Sequence, residues 1–215
     1  MPLQNRVDPF GAIHAVPERG LFTGNRGIIH DPAAKTLLKK RWALQAWIIC
    51  VCRFRDVRRE PMGRNRKEGK AGWTELFFLD EVTALAAGHR PCFFCQRERA
   101  RDFVQRFGQT FGIAEPRAPQ VDKRLHKERL AAGGKRPAVA MDTLAGLPDG
   151  AMIATGGRAF ALRHGKILPW AFAGYGPPVG HDRFEDKTPV LLTPETTLAV
   201  LRHGFQPVWH PSAEA

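Results

Sequence analysis

The apolar and polar residues of the first half alternate most clearly over residues 46–55, and this alternation predicts a β-strand. Side chains two residues apart in a strand point to the same face of a sheet. Cys50 and Cys52 have this spacing, so we expect both sulfur atoms on one side of the strand. The apolar run over residues 76–79 predicts a short buried strand, and the turn-rich residues 1–34 predict short strands or loops.

After the predicted strand over residues 76–79, the apolar residues are spaced as in α-helices. Asp80 is a suitable N-cap for a short helix over residues 81–87, and Gly88 suits the position after its end. Residues 96–107 carry apolar side chains at the i, i+3, i+4 and i+7 positions of one face, which predicts an amphipathic helix. A short basic helix is predicted over residues 121–132.

The pattern beyond residue 136 consists of short apolar runs separated by tight turns. One helix is predicted there, with Thr193 as its cap, Pro194 at its first position and an end near His203. The runs predict five strands, over residues 151–155, 159–163, 167–170, 190–192 and 206–210.

A break in composition separates the two patterns at residues 132–137, which read Ala-Gly-Gly-Lys-Arg-Pro. We therefore predict an α+β protein with two domains. The first, over residues 1–136, is a small basic α+β domain, and the second, over residues 137–215, is a small β-rich domain with one helix.

The net charge of +12 lies entirely in the predicted first domain. Residues 137–215 hold six of the 33 Lys and Arg residues and seven of the 21 Asp and Glu residues, so 27 basic and 14 acidic residues remain in residues 1–136. Such a field attracts polyanions, most often the phosphates of nucleic acids. Charge alone leaves DNA, RNA and the ribosome open as targets, and a merely solubilising surface is the alternative.

The densest basic segment is residues 53–70, where glycine and proline predict a loop. This loop is either a clamp for phosphates or an ordinary surface insertion. Together with arginines near the second cysteine pair, it supplies the nucleic-acid-binding residues that we predict: Arg53, Arg55, Arg58, Arg59, Arg64, Arg66, Arg90, Arg97 and Arg101.

The four cysteines form two close pairs, Cys50-Val51-Cys52 and Cys92-Phe93-Phe94-Cys95. This grouping is typical of a zinc site, with four incidental thiols as the alternative. The first ten residues lack the apolar core of a secretion signal, and no apolar run reaches the roughly 20 residues that span a bilayer. We therefore expect a cytoplasmic protein with no membrane partner, whose reduced thiols bind zinc. The predicted ligands are Cys50, Cys52, Cys92 and Cys95.

Residues 76–96 read LFFLDEVTALAAGHRPCFFCQ, and they resemble part of the zinc-binding N-terminal module of the Ada alkylation-damage repair family. The resemblance lies in an aromatic strand, a short helix that ends in Ala87-Gly88, and the turn Arg90-Pro91-Cys92-x-x-Cys95. It implies a metal turn within residues 76–108 of a module that binds zinc and DNA phosphates. In that family one thiolate of the first pair accepts a methyl group from a methylphosphotriester. In this chain the first cysteine pair, Cys50 and Cys52, corresponds to the family's first pair only in its role as metal ligands. Its spacing is Cys-x-Cys, whereas that of the family is Cys-x-x-x-Cys.

Asp122 and His126 are a further candidate site, since they lie four residues apart on the predicted basic helix. They would form a general-base pair or a second metal site, whereas a salt-bridged helix surface is the alternative.

These observations predict a zinc-containing nucleic-acid-binding protein, with DNA as the favoured target and a link to repair or regulation. One alternative is an enzyme: a metal-dependent nuclease or a thiolate-based DNA-repair protein that reacts at Asp122 and His126 or at Cys50 and Cys52. A second alternative is an RNA- or ribosome-associated factor.

Overall fold

The computed structural model describes residues 1–131, 136–180, 184 and 188–214. Its mixture of helices and short strands confirms the predicted α+β class. Eight strands precede the first long helix. They are β1 (Arg6–Val7), β2 (Ile13–His14), β3 (Phe22–Asn25), β4 (His30–Asp31), β5 (Thr36–Leu37), β6 (Ile48–Val51), β7 (Leu76–Phe78) and β8 (Arg90–Pro91).

Six of these strands form one sheet in the order β2-β1-β7-β3-β6-β8. Its pairs are antiparallel except for β1 with β7 and β6 with β8, which run parallel. Strands β4 and β5 form a separate hairpin. The first residues thus contain short strands, as predicted, whereas the strand expected over residues 46–55 covers only Ile48–Val51.

Helix α1 (Glu81–Ala86) lies between β7 and β8 in the sequence, and α2 (Arg97–Phe111) and α3 (Ala118–Leu130) follow β8. Asp80 is the N-cap of α1, as predicted, because its side chain accepts a hydrogen bond from the Thr83 backbone N–H. Helix α3 begins three residues before the predicted start at residue 121. Residues 132–135, which include the end of that prediction and most of the composition break, lie outside the described residues.

The C-terminal part contains α4 (Met141–Leu144), β9 (Met152–Thr155), β10 (Arg158–Arg163), β11 (Lys166–Ala171), β12 (Gly174–Tyr175), β13 (Val190–Leu191) and α5 (Glu195–Arg202). Its five strands form a second, antiparallel sheet in the order β12-β11-β10-β9-β13. Two 3-10 helices cover Lys67–Gly69 and Pro211–Glu214.

Helix α1 lies between two hydrophobic clusters. Its Leu85 packs with the first sheet and helices α2, α3 and α5, while Val82 and Ala86 pack against the second sheet. The first cluster also contains Val200 and Phe205, from the C-terminal part of the chain. Helix α1 therefore contributes to both hydrophobic clusters, and the first cluster combines residues from both sides of residue 136. The division at residue 136 itself stays a prediction.

The strand predicted over residues 206–210 is absent, because this segment pairs with the start of α1 instead of a sheet. The Glu81 backbone N–H donates to the Val208 carbonyl over 3.1 Å, and the Val208 N–H donates to the Glu81 carboxylate over 2.9 Å. The His210 N–H donates to Asp80 Oδ2 over 3.1 Å. The backbone of this segment therefore pairs with Glu81 and Asp80 rather than with a strand.

Asp80 is fully buried and connects three parts of the chain. Its Oδ1 accepts from the backbone and hydroxyl of Thr83, and its Oδ2 accepts from the Tyr175 hydroxyl over 2.8 Å as well as from His210. Burial raises the pKa of this carboxyl, while these hydrogen bonds oppose the rise. Several donors would thus lose their only acceptor if the carboxylate were removed.

His89 is also fully buried, between the rings of Trp47 and Phe78. Its Nε2 accepts a hydrogen bond of 3.3 Å from the Arg26 side chain. Burial, with the nearby charge of Arg26, holds the pKa of His89 well below its usual range. The folded protein therefore keeps this imidazole neutral at mildly acidic pH.

We expect Asp80→Ala to lower the free energy of unfolding by about 2–4 kcal/mol, because it removes a helix cap and leaves buried donors unsatisfied. Tyr175→Phe should cost about 1 kcal/mol. In a double-mutant cycle followed by urea unfolding, the two costs should not be additive, because both changes remove the same hydrogen bond. A cost below about 0.5 kcal/mol for Asp80→Ala would contradict the central role of this carboxylate.

We expect the wild-type protein to lose stability as the pH falls below about 6.5. The reason is that His89 takes up a proton in the unfolded state but stays neutral in the folded state. The slope from this group is at most about 1.4 kcal/mol per pH unit. Urea unfolding at several values between pH 7.5 and 5.5 measures it. His89→Gln is the control, and equal slopes for the two proteins would refute the assignment.

Candidate metal centre and its surface

Three of the four cysteines converge at one edge of the first sheet. The Sγ atoms of Cys50, Cys92 and Cys95 all lie within 4.8 Å of one another. Strand β6 carries Cys50, and the parallel pairing of Ile49 with Pro91 places Cys92 beside it. The Cys92 backbone N–H donates to the Ile49 carbonyl over 2.9 Å, which fixes this register. One pair of short strands thus brings together Cys50 and Cys92, which lie about 40 residues apart in the sequence.

The turn after β8 brings the third sulfur back to the same place. Gln96 closes this turn, because its backbone N–H donates to the Cys92 carbonyl and its side chain donates to the Ile49 carbonyl, each over 2.9 Å. The Phe94 N–H points at Cys92 Sγ over 3.3 Å. Backbone N–H groups directed at sulfur stabilise the thiolate form that a metal requires.

The geometry of this cluster suits a tetrahedral metal ion. Metal–sulfur bonds of about 2.3 Å place the sulfur atoms of such a site about 3.8 Å apart. The hydrogen bond from Cys50 lowers the pKa of Cys92, with a second bond from Cys95 acting in the same direction. Donating that bond raises the pKa of Cys50, and burial raises it further. Three thiols that share protons in this way would release them on binding a metal.

Cys52, the fourth predicted ligand, is not part of this cluster. Strand β6 ends at Val51, so the alternation of side chains that the sequence predicted does not extend to Cys52. Its exposed side chain instead directs the thiol at the Leu21 carbonyl, over 3.4 Å. The structure therefore contains a three-cysteine cluster rather than the predicted group of four.

A cavity of about 460 Å³ adjoins the cluster, and we call it the cysteine pocket. All four cysteines line it, together with aliphatic side chains and a small number of polar groups. Its walls also include the aromatic rings of Phe54, Trp73, Phe77 and Phe94. A largely apolar cavity with a few polar groups is typical of a site for a small ligand.

Glu75 organises the loop that borders this pocket. It is buried and accepts hydrogen bonds from Arg59 Nε (2.7 Å), the Met62 backbone N–H (2.9 Å) and the Asn65 side chain (3.2 Å). Met62 is buried as well, so the middle of the basic segment is folded onto the protein. Glu75 was not among the predicted site residues. The only feature of the sequence that indicates its role is the position of a carboxylate directly before the apolar strand β7.

Seven of the nine predicted nucleic-acid-binding arginines are exposed. In the described part of the chain, none of the seven has a carboxylate within 4.0 Å, whereas Arg59 and Arg90 do. The guanidinium of Arg55 lies 5.1 Å from the ring centre of Phe54 and 5.9 Å from that of Phe94. We call these seven exposed arginines the basic rim; they are Arg53, Arg55, Arg58, Arg64, Arg66, Arg97 and Arg101.

The other two arginines have structural roles. Arg90 is buried and binds both carboxylate oxygens of Asp122, over 2.8 and 2.7 Å, so the prediction that it contacts nucleic acid at the surface is wrong. Because Arg90 lies in β8 and α3 packs beside it, its charge is enclosed and neutralised. Arg59 is half-buried, binds Glu75 and stacks on Trp73 at 4.3 Å.

Asp122 and His126 do not form the predicted pair. Arg90 occupies both oxygens of Asp122, and no hydrogen bond joins Asp122 to His126 among the described residues. His126 is buried with its ring edge against Trp42, at a distance of 4.6 Å between centres. Neither side chain lies in the cysteine pocket. Asp122 thus forms a buried ion pair and His126 a packed ring, and neither belongs to the exposed salt-bridged helix surface that was the alternative.

We expect the protein purified without chelator under reducing conditions to contain about one equivalent of metal per chain by elemental analysis. Cys92→Ser should lose most of this metal, whereas Cys52→Ser should keep it, because Cys52 lies outside the cluster. Circular dichroism of each variant checks that it is folded. Equal metal loss in the two variants, or less than about half an equivalent in the wild type, would contradict the three-cysteine centre.

No protein-family model matches this chain, and comparisons with curated proteins and with solved structures also found no match. The resemblance of residues 76–96 to the Ada module therefore stays a prediction. Over the residues that the structure describes, no helix is both long and apolar enough to cross a membrane.

Proposed function

We propose that this protein binds zinc through its cysteine cluster and binds nucleic acid with exposed bases, DNA first, through the basic rim. The observations that carry this proposal are the seven exposed arginines, none with a carboxylate within 4.0 Å among the described residues, and the position of one of them, Arg55, near two phenylalanine rings beside the metal centre. Soft thiolate ligands favour zinc among the common divalent metals, which makes zinc the expected ion.

The arginines of the basic rim suit phosphate contacts because none of them has a carboxylate partner among the described residues. Arg64 donates only to a backbone carbonyl, that of Gly69. Arginine guanidinium groups bind phosphate oxygens in a bidentate geometry. An arginine already held by a carboxylate, such as Arg90, would lose that partner on binding. The basic rim therefore offers several cations at little internal cost, which supports a polyanionic partner.

The phenylalanine rings favour a partner with exposed bases. Phe94 has 72% of its surface exposed although it is a large apolar side chain, and its ring lies 5.1 Å from that of Phe54. Phe94 lies between Cys92 and Cys95, so a bound metal would hold its backbone in place. Stacking of a base on an aromatic side chain contributes about 1–3 kcal/mol and needs unpaired bases.

The alternative functions share parts of this surface but are less well supported. A nuclease that uses Asp122 and His126 lacks support, since Arg90 occupies the carboxylate. An RNA- or ribosome-associated factor would use the same basic rim. Comparing binding to single-stranded DNA, duplex DNA and single-stranded RNA at one salt concentration distinguishes these targets.

We expect saturable binding of a labelled single-stranded oligonucleotide, measured by fluorescence anisotropy, with an affinity that falls steeply as salt rises. Arg55→Ala/Arg97→Ala should weaken this binding about tenfold and reduce the salt dependence, because two phosphate contacts are lost. Phe94→Ala should weaken it by a factor of about 5 to 100 through loss of stacking.

The control for the arginine pair is Lys166→Ala/Arg202→Ala, which removes the same charge from exposed positions in the C-terminal part. It should leave the affinity within about twofold, since only the long-range field changes. The proposal fails if the control weakens binding as much as the rim variant does. It also fails if no oligonucleotide binds at low salt.

A further inference from the structure

The cysteine cluster supplies one ligand fewer than a tetrahedral metal ion requires. In the described residues, the group of closely spaced ligand atoms contains Cys50, Cys92 and Cys95 and no fourth His, Cys, Asp or Glu. Zinc sites with four protein ligands are closed, whereas sites with three keep a position for an exogenous molecule. The number of ligands that the protein supplies thus distinguishes this centre from the closed site that the sequence predicted.

The cysteine pocket gives access to this fourth position. Each of the three clustered cysteines lines the same cavity of about 460 Å³, so a molecule in the cavity can reach the metal that they hold. The metal centre and the cavity therefore form one site.

The charge of the centre restricts the class of ligand. A divalent metal with three thiolates has a net charge of −1, so an anionic fourth ligand would add further negative charge and bring the total to −2. Glu75, the carboxylate in the cavity wall, is already held by Arg59 and backbone and amide donors and offers no free oxygen pair. A neutral donor atom suits the position best, and borderline metals such as zinc accept ring nitrogen atoms readily.

The walls of the cavity restrict the shape of the ligand. Trp73, Phe77 and Phe94 present aromatic rings to the same space, which suits a planar ring that can stack. Arg55 of the basic rim lies beside Phe94 at the edge of the cavity, so a phosphate attached to such a ring would meet a cation there. Ring, phosphate and nitrogen donor occur together in a nucleotide.

We propose that the metal held by Cys50, Cys92 and Cys95 takes its fourth ligand from a molecule in the cysteine pocket, and that this ligand is a ring nitrogen of an unstacked nucleobase. On binding, the nitrogen lone pair forms the bond to the metal and a coordinated water leaves, so no electron or proton transfer is needed. The open coordination position is independent of the proposed function, whereas the identity of the ligand rests on it.

Cobalt(II)-loaded full-length protein tests the open position, because the visible bands of cobalt report its ligands. Imidazole is the first probe, and it should shift these bands saturably in the wild type and equally in Cys52→Ser. The thiolate-to-cobalt charge-transfer intensity should be unchanged in Cys52→Ser and should fall by about a third in Cys95→Ser, which removes one of three thiolates. Phe94→Ala should raise the half-saturating imidazole concentration about fivefold by loss of one stacking contact.

Two results would overturn the open position. One is a loss of about a quarter of the charge-transfer intensity in Cys52→Ser, which would make Cys52 the fourth ligand of a closed site. The other is a wild-type spectrum that imidazole does not change. Phe94 is exposed, so Phe94→Ala tests the pocket even if the cysteine variants fold poorly.

A short oligodeoxyadenylate is the second probe and tests the identity of the ligand. It should shift the cobalt bands as imidazole does. If it binds by anisotropy but leaves the bands unchanged, the nucleobase assignment is wrong while the proposed function stands. If imidazole shifts the bands but the oligonucleotide does not bind at all, the proposed function fails and the nucleobase assignment fails with it.

Discussion

The hydrogen bonds of the buried Asp80 carboxylate connect the two halves of the chain. This carboxylate begins helix α1 and accepts hydrogen bonds from Tyr175 and His210, which lie far along the chain. Neighbouring Glu81 is buried too and binds Arg99 and the Val208 backbone. Burial raises the pKa of both carboxyl groups, so the fold tolerates them only with their donors in place. These bonds hold α1 between the two hydrophobic clusters.

The position of α1 in turn determines the metal centre. The chain leaves α1 at Gly88, where a positive φ of 80° lets it reverse direction, and buried His89 then leads into β8. Pairing of β8 with β6 sets Cys92 beside Cys50. Hydrophobic packing and hydrogen bonding thus bring three sulfur atoms within 4.8 Å, which prepares the site for a metal.

The arginines divide into two groups according to their partners, and this division separates structure from proposed function. Arg90 is enclosed and neutralised by Asp122, while Arg59 binds Glu75 and holds the basic loop against the protein. The exposed arginines of the basic rim have no such carboxylate in the described structure. Since an unpaired surface cation interacts mainly with solvent and mobile ions, it remains available to a polyanion.

The spacing of residues along the chain predicts the α+β class and the local features: the Asp80 cap of α1, the apolar face of α2 and the turn that joins Cys92 to Cys95. Each depends on residues within a few positions of one another, whose spacing fixes their geometry. Three features become visible only in the folded chain: β6 ends before Cys52, Asp122 neutralises Arg90, and Glu75 anchors the loop beside the cysteine pocket. These outcomes depend on which distant strands and helices pack together, and the spacing of residues along the chain carries no information about that.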